Sequence, residues 1–243
     1  MVVRLRWIQH LARGESVMPE HWKLSPSDFA FLWEECRRCF YLKVVRGVAQ
    51  PTTMPAIFNR IDSIMKQYFA GKSTGEIAPV LPPGTVAFGE KWVESSPIAV
   101  PGHRSTCFVR GKVDSVVKFE DGSYGVVDFK TSAARGHQLP LYARQLHSYA
   151  YALENPAPGK LNLAPVSRLG LLCVEPVEVV SLEEGGYAYR AKPTWIECPR
   201  DDGAFLAFIG QVLAVLDLPE PPQSGPTCRW CRYLEATRQI LPP

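Results

Sequence analysis

The spacing of apolar positions divides the chain into helical and extended runs. Residues 24–47, LSPSDFAFLWEECRRCFYLKVVRG, carry apolar side chains at helical intervals. With Ser27 as an N-cap and Gly47 as a stop, they predict a helix. Residues 54–71, MPAIFNRIDSIMKQYFAG, predict a second, with Pro55 in its first turn and Gly71 past its end. Residues 72–105 are rich in Gly and Pro and read as irregular, with one strand near 90–94. The period then changes from helical to alternating. FVRGKVDSVVKF (108–119) and SYGVVDFK (123–130) are β-rich runs on either side of Glu120-Asp121-Gly122, a hairpin signal. LPLYARQLHSYAYALEN (139–155) is helical and ends at a Pro- and Gly-containing break. RLGLLCVEPVEVV (168–180) and YAYRAKPTWIEC (187–198) predict strands. DGAFLAFIGQVLAVLD (202–217) predicts an apolar helix capped by Asp202, and a Pro-rich loop at 219–226 follows it. Helices, a β-meander with one helix inserted, and a closing helix predict an α/β fold: a central mixed β-sheet flanked by helices.

Composition narrows this only slightly. A chain of 243 residues, 46% hydrophobic and 21% charged, has room for a real core. A formal charge of +3 permits a polyanionic partner without demanding one. No apolar run approaches the ~20 residues that span a bilayer, so no membrane partner is expected. The N-terminal MVVRLRWIQHLARGESV is basic and lacks the apolar centre of a signal peptide, which makes the cytoplasm the expected location. Residues 1–24 read as an N-terminal extension, with Met18 an alternative start, and 25–243 as a single domain.

The hairpin carries the first chemistry. Asp128 and Lys130 interrupt an apolar strand, and both are costly to bury unless paired or bound. A three-residue loop closed by Gly122 in the left-handed region pairs Phe119 with Ser123 and sets Asp114 opposite Asp128, with Lys130 on the same face. A two-residue Asp-Gly loop would pair Asp114 with Phe129 instead and split the group. The three-residue loop is the expectation. Adjacent carboxylates repel unless a cation joins them, and oxygen donors suit Mg²⁺ or Mn²⁺. Such an ion polarises a phosphoryl oxygen and supplies hydroxide, while a lysine meets the charge that develops on phosphate. The competing reading is a salt-bridged surface hairpin, which a lone D-x-K would not exclude; Asp114 at hairpin distance weighs against it.

With these residues in view, the chain resembles the PD-(D/E)xK nuclease superfamily in its RecB-like branch. GKVD (111–114) is similar to the family's G-x-x-D strand, DFK (128–130) to its acid–x–lysine strand, and QLHSY (145–149) to its Q-x-x-x-Y helix. Gln145 and Tyr149 lie one turn apart on one helix face. The resemblance implies a restriction-endonuclease-like core. It implies a metal held by Asp114, Asp128 and the Phe129 backbone carbonyl, with Lys130 catalytic and Gln145 and Tyr149 in support. One position departs from the pattern: the family's G-x-x-H histidine, a metal ligand, corresponds to Asp62 in NRID (59–62). An aspartate there still ligates a hard ion and favours Mg²⁺ over Zn²⁺; otherwise Asp62 is a solvated helix residue.

Of seven cysteines, Cys107, Cys173 and Cys198 stand alone and read as buried small hydrophobes. Cys36/Cys39 and Cys228/Cys231 form two C-x-x-C pairs. Cysteine-bearing members of the branch, such as the CRISPR-associated exonucleases, hold a 4Fe–4S cluster on one early cysteine and a late C-x2-C-x5-C group. Cys36, Cys228 and Cys231 match that set, Thr237 stands at its last position, and Cys39 supplies a fourth thiol one helical turn from Cys36. Four thiolates suit 4Fe–4S or a tetrahedral Zn²⁺. The spacing is a familiar zinc pattern and the resemblance points to iron–sulfur; a 4Fe–4S cluster is the expectation, with structural Zn²⁺ the alternative. Either would staple the first helix to the C-terminal tail.

Arg37, Arg38, Lys43 and Arg46 surround the first pair, Arg229 and Arg232 the second, with Trp33, Phe40, Tyr41, Trp230 and Tyr233 interleaved. Cations among aromatics suit single-stranded DNA. The expected function is a metal-dependent deoxyribonuclease, of exonuclease type, acting in repair, recombination or defence. It has no helicase motif, so a helicase or complex partner would do any unwinding. The first rival is a non-catalytic nucleic-acid-binding adaptor, favoured by Asp62 in place of histidine. The second, a redox protein, lacks the βαβ context its C-x-x-C pairs would need.

Overall fold

The structure, a computed structural model, describes residues 21–51, 55–131, 133 and 136–240. The alternative start at Met18 lies outside them. His21–Leu24 (β1) alternates exposed and buried, with Trp22 and Leu24 turned inward, so these residues belong to a sheet and not to an N-terminal extension. The helix expected over 24–47 is instead three: α1 (Pro26–Ala30), α2 (Leu32–Glu35) and α3 (Arg37–Arg46). Ser25, not Ser27, occupies the cap position of α1, because Pro26 is prepared for the first turn. The later break is at Cys36, which is extended at φ −163°, ψ 106° and serves as the N-cap of α3. Gly47, at φ +68°, ends α3 as expected.

Ala56–Phe69 (α4) is the second expected helix. The stretch at 72–105 is more ordered than its composition suggests. It holds α5 (Thr74–Ile77), β2 (Gly84–Phe88) and β3 (Lys91–Glu94). The α5 signal was present in the sequence: Ser73 and Glu76 make a reciprocal capping box. There follow β4 (Thr106–Val113), β5 (Ser115–Phe119), β6 (Tyr124–Lys130), a 3₁₀ turn at Gly136–Gln138, and α6 (Leu139–Glu154). The chain continues with β7 (Val166–Ser181), β8 (Tyr187–Glu197), α7 (Asp202–Leu216) and α8 (Arg229–Ile240). Asp201, not Asp202, caps α7, its carboxylate accepting from the Ala204 N–H at 2.8 Å.

The strands form two sheets. One has the order β1-β4-β3, the other β2-β5-β6-β7-β8. In the larger sheet β6 and β7 are parallel and joined through α6, while its other neighbours are antiparallel. β4 and β5 are successive parts of one run, bent at Asp114 where the chain passes from the small sheet to the large one. Two apolar cores lie on the two faces of the large sheet. Val116, Val126 and Leu171 face a core shared with Leu146, Leu153, Ile209 and Leu213 of α6 and α7. Val117, Val127, Phe129 and Leu172 face Met65 and Phe69 of α4. Helices therefore cover the centre of the sheet from both sides, while the outer halves of β7 and β8 are exposed; this is the mixed, helix-flanked α/β architecture expected. No helix among the described residues is long and apolar enough to cross a membrane.

Candidate active site and cysteine centre

The hairpin fixes the register of the acidic group. The Phe119 N–H donates to the Ser123 carbonyl at 2.9 Å, and Gly122 closes the turn at φ +86°. Ser115 pairs with Val127 and Val116 with Val126, and just past the end of that pairing the Asp114 and Asp128 side chains lie within hydrogen-bond reach of each other. Alternation then puts Asp128 and Lys130 on the face of Val126, under α6, while Phe129 turns to the opposite core and stacks on Phe69 at 5.3 Å. An acid and a lysine at the end of a buried strand are thus held by the apolar residue between them.

The charges are tightly coupled. Burial first, then the neighbouring Asp128 carboxylate, push the Asp114 carboxyl up to about 6, against the opposing pull of Lys66. The Lys130 ammonium lies against Asp128 Oδ2 and 4.6 Å from the centre of the Tyr142 ring. Burial opposes the charge on Lys130, but Asp128 outweighs it and holds the ammonium above its ordinary range. Gln145 and Tyr149 are both buried on α6 and share a hydrogen bond; burial pushes the Tyr149 hydroxyl well above its usual range. Gly111 explains itself here. A Cβ at that position would lie 2.8 Å from Pro26 Cδ and 3.1 Å from Tyr149 Cε1, so the tyrosine reaches its place only over a bare backbone.

Asp62 meets this group through a residue the sequence reading missed. The Lys66 ammonium lies 2.7 Å from Asp62 Oδ2, 2.9 Å from Asp114 Oδ1 and 3.0 Å from Glu90 Oε1. Despite its burial, these carboxylates raise its pKa. Glu90 also pairs with Lys112. The signal for Lys66 was its position one turn after Asp62; Glu90 and Tyr142 gave none. A cavity of about 500 Å³ opens beside α4, lined by Asn59, Asp62, Ser63, Lys66 and Glu90 among others. Asp128 Oδ2 is buried and, apart from the adjoining ammonium, has no hydrogen-bond donor among the described residues. A buried carboxylate oxygen whose sole close partner among the described residues is one ammonium, set beside the Asp114 carboxylate, fits a hard divalent ion.

The second centre joins both ends of the described chain. The sulfur atoms of Cys36, Cys39, Cys228 and Cys231 all lie within 4.8 Å of one another. Cys36–Cys231 and Cys39–Cys228 are 3.8 Å apart and Cys39–Cys231 3.4 Å. The pairs have similar local geometry. Each first cysteine directly precedes a helix, Cys36 before α3 and Cys228 before α8, and each second cysteine lies in the first turn. Cys36 and Cys39 therefore converge across a cap, not along a helix face as the sequence suggested. The Cys231 N–H donates to Cys228 Sγ at 3.5 Å and the Gly225 N–H to Cys36 Sγ at 3.3 Å. Burial alone would raise the Cys36 thiol, but the Gly225 and Cys39 N–H groups outweigh it and hold it low. Burial, with the Cys36 charge added, pushes Cys39 up to about 11. Four such sulfurs do not all ionise without a cation between them.

The basic residues separate into two groups. Arg38 donates to the Pro222 carbonyl at 3.3 Å and Lys43 pairs with Asp28 at 2.5 Å, so both have structural partners. Arg37 is exposed and lies over the Trp33 ring at 4.9 Å. Arg229 and Arg232 are exposed on α8 and line a shallow concavity with Tyr233. Trp33, Phe40 and Tyr41, expected as stacking platforms, are buried core residues. Periodicity had marked them as aromatic without distinguishing an inward face. Trp230 stacks on Tyr233 at 5.8 Å.

A family model described as the PD-(D/E)XK nuclease superfamily matches residues 82–236. That span holds Asp114, Asp128, Lys130, Gln145, Tyr149 and the second cysteine pair. Among solved structures, one titled "Crystal structure of SSO0001" is 14% identical with a TM-score of 0.45, and the match covers 100% of this chain and 96% of that one. A likeness of that degree extends nothing from one chain to the other. No curated protein matches the sequence.

Proposed function

The chain belongs to the PD-(D/E)XK nuclease superfamily, and from that premise we propose a divalent-metal-dependent deoxyribonuclease of the RecB-like branch, acting exonucleolytically on single strands or ends. The observation that carries this is Asp114 opposite Asp128, with Lys130 on the same face beneath Tyr142, Gln145 and Tyr149. Asp128 and the Tyr142 ring together fix the ammonium, so it meets a phosphate without first being ordered. Gln145 and Tyr149 form the wall behind it. Asp114, Asp128, the Phe129 carbonyl and Asp62 would hold Mg²⁺ or Mn²⁺, which supplies Lewis acidity and lowers the pKa of water. The test is Lys130→Ala on labelled single-stranded oligonucleotides with Mn²⁺ or Mg²⁺. A loss of at least ~100-fold in turnover is expected, and an unchanged rate overturns the assignment. Repair, recombination or defence is the setting this chemistry suits, with unwinding left to a helicase partner.

One observation favours the adaptor reading. The Lys66 ammonium already neutralises Asp62 and Asp114, as a weakened metal site would require. Oligonucleotide binding without cleavage across Mg²⁺, Mn²⁺ and Ca²⁺ would establish it.

For the cysteine centre, zinc is the better fit. A tetrahedron of ~2.3 Å metal–sulfur bonds has edges of about 3.8 Å, close to the 3.4–3.8 Å of three sulfur pairs, and all four sulfurs lie within 4.8 Å of one another. A cubane interposes its own irons and sulfides and holds four thiolates farther apart. Colourless protein with one zinc is the expected preparation. Brown protein with about four irons and matching sulfide would restore the cluster. Either group would tie the two ends of residues 21–240 into one domain.

A further inference from the structure

The outer face of the β1-β4-β3 sheet has no role in the site described above. Across it, Trp92 pairs with Lys112, Glu94 with Arg110, and Lys23 with Phe108. Trp92 is 63% exposed, while Val93, Val109 and Val113 turn to the core. The Arg110 guanidinium lies 5.6 Å from the centre of the Trp92 ring and 3.3 Å from Glu94; Lys160 stands 4.0 Å from the same carboxylate. Arg110 and Lys112 lie beside the exposed indole, Lys160 beyond Glu94 and Lys23 farther across the sheet beside Phe108, so four cations share this face with Glu90 and Glu94.

We propose that this face is a track for single-stranded nucleic acid, a base stacking on Trp92 while Lys23, Arg110 and Lys112 meet the phosphates, and that the track feeds the acidic site; this rests on the nuclease reading. Continuity supports it. β4 leads from the face directly into Asp114, and Lys112 is two residues before it. A chain of ion pairs, Lys112 to Glu90 to Lys66 to Asp114, joins the platform to the site. The chemistry selects the occupant. An open indole backed by arginine accepts an unpaired base, whose flat face a duplex hides. A protein partner fits less well, because interface centres are depleted in lysine.

The test is fluorescence anisotropy of a labelled oligothymidylate in buffer with no added Mg²⁺ or Mn²⁺ and no chelator, where no cleavage intervenes and the cysteine centre keeps its metal. Trp92→Ala is expected to weaken binding about 10-fold and Trp92→Phe to restore most of it, since base stacking is worth ~1–3 kcal/mol. If Trp92→Ala melts early, Arg110→Ala serves as the second arm, with about a 5-fold loss expected from the missing cation. Equal binding by the parent and both alanine variants overturns the track, as does tighter binding of duplex than of single strand. The two readings fail separately. Lost binding in Trp92→Ala without metal-dependent turnover in the parent would keep the track and remove the nuclease. Lys130-dependent turnover with unchanged Trp92→Ala binding would do the reverse.

Discussion

At the scale of the residue, Asp114 is pulled in two directions. Burial and Asp128 push its carboxyl up to about 6, while Lys66 at 2.9 Å pulls it down. An acid whose folded value lies above its unfolded one, about 4, favours folding only while protonated. Metal-free protein should therefore give up stability as pH rises from about 4 to about 6, by at most ~3 kcal/mol, and stay without it above. Asp114→Asn removes that loss. In EDTA it should unfold at higher urea than the parent at pH 8 and at nearly the same urea at pH 4. Added Mn²⁺ should stabilise the parent at pH 8 and the variant far less. Lys66 is the complementary case. It competes with any cation for Asp62 and Asp114, so Lys66→Gln should bind Mn²⁺ about 10-fold more tightly in calorimetry.

At the scale of the element, two glycines hold helices in functional positions. A Cβ on Gly225 would lie 2.5 Å from the Glu35 carbonyl oxygen, a backbone clash, and in contact with Cys36. Gly225→Ala should lower retained metal at the cysteine centre, read by metal analysis after dialysis, with a fall in melting temperature. Gly111→Ala meets Pro26 and Tyr149 instead, and overpacking there should cost about 1–3 kcal/mol. The α6–α7 pair has its own tie. Arg200 bonds to both Glu154 carboxylate oxygens and to Asp202, and Asp202 also meets His147 at 2.8 Å. Burial is the leading cause that lowers the His147 pKa.

At the scale of the whole molecule, the cysteine centre and the two cores divide the stabilising work. α8 packs little of its surface, most of its side chains being exposed, whereas the centre of the sheet, β5, β6 and the first half of β7, is buried between two cores. Stripping the metal should therefore release α8 and the Cys36 cap before it disturbs the sheet. Hydrogen exchange after chelation should rise in α8 and α2–α3, with β5, β6 and β7 still protected. Exchange that rises everywhere at once would show that the staple holds the whole fold.

Local chemistry explains what the sequence alone determined. Glu120-Asp121-Gly122 set the turn, the turn set the register, and the register set Asp114 against Asp128. The two C-x-x-C pairs and the i,i+4 spacing of Gln145 and Tyr149 were legible for the same reason, since each is a property of a few consecutive residues. Only the tertiary structure decided that Cys36 is a cap, that Trp33, Phe40 and Tyr41 face inward, and that Lys66 and Glu90 join the acidic group. Periodicity says which residues share a face of their own element. Which faces meet is decided when two cores close on one sheet, and that depends on residues far apart in the chain.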